Sequence, residues 1–175
     1  MTPTLSAVVV LAPEAEPVVR EHRLALDPSA RRGVPAHLTV LFPFLPPASI
    51  DEEALTRLRE VVRGVAGFTA TLPRTGWFGD DVLYLAPEDP APFLALTAAV
   101  TRAFPDHPPY SGRYGDVVPH LTVGQGAPRP ALLAAEDAVR STLPVHLRVS
   151  DVALLVGGSE EQSWHIAHRL PLGPR

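Results

Sequence analysis

Two stretches of this sequence decide its fold: "PAHLTVLFPF" at residues 35–44 and "PHLTVGQG" at residues 119–126. Both contain His-Leu-Thr-Val shortly after a proline, and we call these four residues motif 1 (residues 37–40) and motif 2 (residues 120–123). Side chains alternate between the two faces of a β-strand. The leucine and valine of each motif are therefore expected to anchor a strand in the core, while the histidine and threonine face outward together. An internal repeat carries structural meaning when both copies fall in plausible strands.

The outward-facing residues of the two motifs indicate chemistry at a phosphate diester. If the two strands lie side by side, His37, Thr39, His120 and Thr122 converge. A neutral histidine can take a proton from water or a hydroxyl, while a protonated histidine donates to the leaving oxygen. The threonine hydroxyls can hydrogen-bond the non-bridging oxygens. Because imidazole titrates at about pH 6.5, such a pair can work near neutrality without a metal.

Composition narrows the class of protein. Of the 175 residues, 46% are hydrophobic and 19% are charged, which is enough apolar material for a real core. The absence of cysteine excludes disulfides, thiolate catalysis and cysteine-based zinc sites. A net charge of −4 disfavours extended nucleic-acid binding and leaves open a small phosphorylated ligand or a nucleic-acid end. The N-terminal apolar run is too short for a signal or membrane helix, so we expect a soluble cytoplasmic protein.

Apolar periodicity and turn residues predict interleaved strands and helices. The expected elements are a strand at 5–12, a helix at 16–26, the motif 1 strand, a helix at 48–64 with a capping box formed by Ser49 and Glu52, strands at 67–73 and 81–87 around a turn-rich link at 74–80, a helix at 90–104, a loop at 105–119, the motif 2 strand, a helix at 129–142, and a closing hairpin of 145–156 with 163–172. This order favours an α+β fold over a doubly wound parallel sheet. We expect a single domain (residues 1–175) with two lobes that share one sheet system.

On these residues the chain resembles the two-histidine phosphoesterase superfamily, which includes bacterial 2′-5′ RNA ligases and 2′,3′-cyclic phosphodiesterases. The signature of that family is two His-x-Thr/Ser motifs flanked by apolar residues, and the likeness covers nearly the whole chain. The resemblance implies a bilobal fold with pseudo-two-fold symmetry and a central cleft. It implies His37 and His120 as an acid–base pair, Thr39 and Thr122 as phosphate ligands, and neither metal nor nucleotide cofactor. The chemistry it implies is opening of a 2′,3′-cyclic phosphate or joining of RNA ends through a 2′-5′ bond.

Further candidate binding residues lie near the motifs. Tyr110 and Tyr114 precede motif 2 and could either stack on a base or pack in the core. Arg113, between them, could clamp a phosphate or remain a solvated loop residue. For Phe42 we expect core packing, and for the two arginines of "ARRG" (residues 30–33) we expect exposure to solvent.

The residues support hypotheses from different classes. The first is a metal-independent phosphoesterase acting on a small nucleotide or an RNA terminus, with His120 as the base that activates water and His37 as the acid; the sequence does not fix this direction. The second is a binding module that holds a nucleotide or RNA end in the same cleft without turnover. The third is a metallohydrolase with both histidines as ligands, which lacks a carboxylate at a suitable spacing. We expect a monomer, because the cleft is complete within one chain, and on the charge and the short apolar run we expect binding to neither an extended duplex nor a membrane.

Overall fold

The computed structural model describes residues 2–113 and 116–174, which form antiparallel β-sheets with helices packed against them. The strands are β1 (Leu5–Leu11), β2 (His37–Leu41), β3 (Phe68–Leu72), β4 (Arg74–Phe78), β5 (Val82–Ala86), β6 (Leu121–Gln125), β7 (Val145–Val149), β8 (Asp151–Gly157) and β9 (His165–Pro171). The helices are α1 (Glu16–Leu26), α2 (Pro28–Arg31), α3 (Glu52–Arg63), α4 (Ala91–Ala103) and α5 (Arg129–Arg140). The expected α+β class is confirmed. Within the described ranges, no helix has the length and apolar character needed to cross a membrane.

Within the described residues the strands form three sheets, so the expectation of one shared sheet system is wrong. A four-stranded sheet has the order β2-β1-β8-β9, a three-stranded sheet has the order β4-β5-β6, and β3 pairs with β7 alone. The single strand expected at 145–156 is divided at Ser150 into β7 and β8. Because β7 pairs with β3 while β8 pairs with β1 and β9, this division sends one apolar run into two sheets.

The turn-rich link expected at 74–80 is instead largely the strand β4. Gly76 lies opposite Tyr84 of β5, and a Cβ at position 76 would come within 2.6 Å of the Tyr84 ring. A glycine in a strand often marks such a close approach. Gly76, which suggested a turn, therefore makes room for the Tyr84 ring, which lies across β4.

The N-terminus of α3 also differs from the expected capping box. Asp51 is the N-cap residue, and its Oδ1 accepts a hydrogen bond from the main-chain N–H of Ala54 at 2.8 Å. Ser49 lies earlier, in a short 3₁₀ turn (Pro47–Ser49). Aspartate caps a helix as well as serine does and adds a negative charge that the helix dipole favours.

The motif residues expected in the core are buried there. Leu38 and Val40 are 1% and 3% exposed, and Leu121 and Val123 are both fully buried. The face of the large sheet opposite the main core carries a smaller apolar cluster, which we call the apolar wall: Ala7, Val9, Val34, Ala153 and Leu155. The alternation within β1 produces both, since neighbouring residues of that strand belong to different clusters.

Gly124, directly after motif 2, allows helices to pack closely against β6. A Cβ at position 124 would lie 2.6 Å from Leu132 Cδ2 of α5 and 2.9 Å from Leu26 Cβ of α1. Motif 1 has the buried Leu41 at the corresponding position. The identity between the two motifs therefore ends at this position, where β6 needs a glycine for close helix packing and β2 carries a buried leucine.

We predict that Gly124→Ala lowers the free energy of unfolding by about 1–3 kcal/mol, because a methyl group must be forced into a filled core. The measurement is the midpoint of urea unfolding. Gly158→Ala is the matched control, since a Cβ there would meet Thr4 Oγ1 at 3.7 Å, an ordinary van der Waals distance; its change should stay within about 0.5 kcal/mol. Equal midpoints for the two variants would contradict the packing argument.

Candidate functional site

The two motif strands meet at the edges of different sheets. The strand β2 lies at the edge of the four-stranded sheet, and β6 lies at the edge of the three-stranded sheet. Residues of the two strands contact one another, although neither strand is a hydrogen-bonded neighbour of the other. The side-by-side arrangement considered from the sequence thus exists as a contact between sheet edges.

Each motif strand carries a register shift at the same motif position. The pairing of β2 with β1 skips Val40, and the pairing of β6 with β5 skips Val123. Such a bulge increases the local twist of a strand and can re-aim side chains. The Val40 carbonyl accepts a hydrogen bond at 3.0 Å from Thr97 Oγ1 of α4. The two motifs therefore have the same backbone irregularity at the same position.

The main chain orients both imidazoles in the same way. His37 Nδ1 lies 2.7 Å from the carbonyl oxygen of Pro35, and His120 Nδ1 lies 2.7 Å from that of Val118. A carbonyl oxygen can only accept, so Nδ1–H donates in each case. In the neutral form, each ring therefore has its lone pair on Nε2, which can accept or, when protonated, donate a proton.

One cavity of about 780 Å³ brings together the four polar side chains of the motifs. His37, Thr39, His120 and Thr122 all line it. Its volume falls within the range of roughly 300–1,000 Å³ that is typical of small-molecule sites. The convergence that the repeat predicted is therefore present in the fold.

The loop before motif 2 also contributes to this cavity. Tyr110 and Arg113 line it, and the main-chain N–H of Tyr110 donates to the carbonyl oxygen of Phe42 at 2.7 Å. That bond ties the loop to the chain that follows motif 1. Tyr114, the other candidate, lies outside the described residues.

The two neighbouring arginines have different positions. Both are exposed to solvent, as expected, and Arg32 in addition lines the cavity. Arg31 is exposed and donates from Nη1 to the carbonyl oxygen of Ala25 at 3.4 Å. Arg31 is the last residue of α2 and Arg32 is its C-cap residue, in a segment that was expected to be a loop.

The two histidines differ in what surrounds them. The ring of His120 lies 4.8 Å from that of Phe78 and 5.5 Å from that of Tyr84, and these two aromatic rings stack at 4.3 Å. His37 instead experiences the charges of Arg23 and Asp27, a buried ion pair at the end of α1. The repeat therefore has matching histidines in unlike environments.

Burial is the main influence on the proton affinity of both rings. The pKa of His37 is lowered to about 4, chiefly by burial and also by Arg23 and a protonated His120, while the bond to Pro35 and the charge of Asp27 oppose this. Burial also lowers the pKa of His120 from 6.5, against the hydrogen bond to Val118. Both imidazoles are therefore mainly neutral at pH 7.

Comparison with known families identifies the chain. The family model described as the 2′-5′ RNA ligase superfamily matches residues 11–161. The protein belongs to this superfamily. The resemblance to two-histidine phosphoesterases drawn from the motifs is thus confirmed, and no curated protein sequence gives a significant match.

Several solved structures of other proteins have the same fold as this chain. TT0787 of Thermus thermophilus is 20% identical with a TM-score of 0.69, covering 98% of this chain and 99% of that one. Escherichia coli LigT complexed with NADP+ is 19% identical with a TM-score of 0.63, covering 99% of each chain. LigT complexed with 3′-AMP is also 19% identical, with a TM-score of 0.61, covering 98% of this chain and 99% of that one. At these identities the likeness establishes the fold.

In this superfamily member the cavity also has an aromatic and apolar side that the sequence did not reveal. Trp164 lines the cavity and packs with Phe42 against the apolar wall; their ring centroids are 6.3 Å apart. Trp164 Nε1 donates to the Gly158 carbonyl oxygen at 2.9 Å, and its ring covers Gly157, where a Cβ would clash with the indole. Phe42 packs as expected and also faces the cavity. Only the fold brings these distant positions together.

A buried arginine was also missed, although the sequence contained a signal for it. Arg23 is four residues after Val19 and three before Leu26, so helical periodicity places it on the apolar face of α1. It is 2% exposed, and its partner Asp27 is 1% exposed. Phe78 had no such signal, because its strand was interpreted as a turn. In the described part of the chain, no group of three or more His, Asp or Glu side chains could hold a metal ion.

Proposed function

We propose that the protein is a metal-independent phosphoesterase that opens 2′,3′-cyclic phosphate ends of RNA or small nucleotides, with 2′-5′ ligation as the reverse type of step. One observation carries the proposal: His37 and His120 line one cavity, and each has its Nδ1 proton committed to a main-chain carbonyl. This leaves two Nε2 atoms for proton transfer. The superfamily supports phosphoesterase or ligase chemistry in general.

In the proposed hydrolysis, neutral His37 is the base and protonated His120 is the acid. His37 Nε2 takes a proton from water as the water oxygen bonds to phosphorus. His120 Nε2–H gives its proton to the departing ribose oxygen as that P–O bond breaks, leaving a phosphomonoester and a free hydroxyl. The assignment reverses the sequence-based hypothesis, because burial and the charge of Arg23, which does not act in the same way on His120, lower the pKa of His37 to about 4. The single proton of the pair is therefore held more readily by His120.

The other polar side chains of the cavity suit a phosphate. Thr39 and Thr122 are proposed to donate hydroxyl hydrogen bonds to the non-bridging oxygens. Arg113 and Arg32 line the same cavity and can attract the negative charge of a nucleotide or RNA terminus. Tyr110 is proposed as a contact to the sugar or base.

The apolar side of the cavity suits a nucleobase. Trp164 and Phe42 present aromatic surface to the same space that holds the catalytic pair. Aromatic side chains stack on bases with little dependence on sequence. The crystal structures of LigT with 3′-AMP and with NADP+ support a small nucleotide as the ligand class. All these residues come from one chain, so we expect the monomer to be active.

The first prediction concerns turnover. With chelator present, the protein should convert 2′,3′-cyclic nucleotides to phosphomonoesters, and His37→Ala and His120→Ala should each lower turnover at least about a hundredfold. The measurement is chromatographic separation of the products. His165→Ala, at an exposed position on β9, is the control and should retain activity.

Other results of this experiment would favour the other hypotheses. Thermal stabilisation by a nucleotide without product would indicate the binding module. Activity that chelator removes and zinc restores would indicate a metallohydrolase. Near-normal turnover in either histidine variant would contradict the proposed mechanism.

A second prediction assigns the acid and the base. A p-nitrophenyl phosphodiester has a leaving group that needs no proton, so loss of the acid should matter little with this substrate. We expect His120→Ala to be impaired at least about tenfold less on the aryl ester than on the cyclic nucleotide, whereas His37→Ala should be impaired on both. Selective rescue of His37→Ala instead would restore the assignment with His120 as the base.

A third prediction tests the base-binding side. Trp164→Ala should raise KM for a cyclic nucleotide about tenfold, with a smaller change in kcat, since stacking is worth about 1–3 kcal/mol per base. Trp164→Phe should retain most of the affinity. Methyl p-nitrophenyl phosphate, which has no nucleobase, should show little difference between the variants. An equal rise in KM for both substrates would show that the tryptophan only supports the fold.

A further inference from the structure

We propose that the buried Arg23–Asp27 ion pair is a positioning element of the site, which sets the charge that the His37 imidazole meets. The inference rests on the proposed function in assigning this pair to the catalytic cleft. Its main test measures the titration of the His37 imidazole directly and does not depend on catalytic turnover.

Both members of the ion pair are buried and hydrogen-bonded. Arg23 donates to Asp27 Oδ2 from Nη2 at 2.9 Å and from Nε at 3.2 Å, and the side chains are 3% and 2% exposed. Ser29 Oγ donates to Asp27 Oδ2 at 2.7 Å, and the Ser29 main-chain N–H donates to Oδ1 at 2.9 Å. Both carboxylate oxygens of Asp27 therefore have partners, which restrain the orientation of its side chain.

Stability alone does not account for such a pair. Removing two charges from water is costly, and replacing a buried ion pair with apolar residues is often neutral or stabilising. Asp27 and Ser29, however, line the cavity that also contains His37. A buried charge pair at the wall of a cleft can act on a group inside that cleft with little screening by solvent.

The helix α1 holds this pair in place relative to motif 1. At the start of the helix, Glu16 Oε1 accepts a hydrogen bond at 2.7 Å from the main-chain N–H of Ala36, the residue before His37. The ion pair lies at the other end of the same helix. One rigid element therefore fixes both the backbone beside the imidazole and the charges near it.

The two charges act on His37 in opposite directions. Arg23 lowers the pKa of His37, Asp27 raises it, and the effect of Arg23 is the larger. His120 acts from the opposite motif. The other charged groups that line the cavity are Arg32, Arg113 and Asp116.

The test is a proton NMR titration of the His37 ring in the full chain, with its signal assigned by comparison with His37→Gln. Arg23→Met removes the cation, so the titration midpoint of His37 should move to higher pH. Asp27→Asn removes the anion, so His37 should stay neutral to lower pH than in the wild type. The Arg23→Met/Asp27→Asn double variant should have a midpoint above the wild type and below Arg23→Met.

A second arginine–carboxylate pair, with a buried carboxylate and an arginine side chain that is 60% exposed, provides a control away from the cavity. On α5, Arg140 Nη2 lies 2.9 Å from Glu136 Oε1, and the Glu136 side chain is 7% exposed. Arg140→Met and Glu136→Gln should lower the urea midpoint of unfolding without moving the His37 titration. If a single variant at Arg23 or Asp27 fails to fold, the double variant, which leaves no unpaired charge, still gives the expected upward shift.

Opposed shifts would support the proposal, and a common shift would overturn it. If both single variants move the midpoint in the same direction, or if neither moves it, the pair has only a structural role. The low-pH limb of kcat/KM should follow the NMR midpoint when His37 is the base. If the midpoint moves and that limb does not, the role of the ion pair stands and the proposed role of His37 as the base is wrong.

Discussion

The site depends on the alternation of side chains in two edge strands. The leucine and valine of each motif are buried, and this burial leaves the histidine and threonine no face other than the one at the cavity. A slip of one residue in either strand would exchange the two faces and put an imidazole in the core. The register shifts at Val40 and Val123 preserve this arrangement while each strand twists. Core packing and site geometry are therefore the same constraint in this protein.

The two halves of the site are alike in backbone and unlike in surroundings. Both imidazoles donate from Nδ1 to a carbonyl two residues earlier, so both offer the same ring nitrogen. His120 lies against two aromatic rings, whereas His37 experiences a buried ion pair. The proposed acid–base chemistry needs one neutral and one protonated imidazole. The unlike neighbours favour the proton on His120 over His37, a preference that a perfect repeat would lack.

The helix α1 connects the features that distinguish the two halves. Its Glu16 binds the backbone before His37, its Arg23 forms the buried ion pair, and its Leu26 occupies the space that Gly124 leaves open beside motif 2. A change in the packing of this helix would therefore reach both motif strands. In the sequence, the contact between α1 and β6 is visible as Gly124, which stands where motif 1 is followed by Leu41.

Local patterns in the sequence were enough to predict the α+β class, the helix at 16–26, the burial of the motif leucines and valines, and the meeting of His37 and His120 in one cavity. These follow from local periodicity and from an exact repeat, which can be recognised without knowing the fold. The expected turn at 74–80 and the single strand at 145–156 were wrong, because Gly76 and Ser150 serve partners that are distant along the chain. The positions of Trp164 and Asp27 at the cavity follow only from the tertiary structure. Burial, close ring packing and the field of a charge depend on which segments meet in space, and no local pattern specifies that.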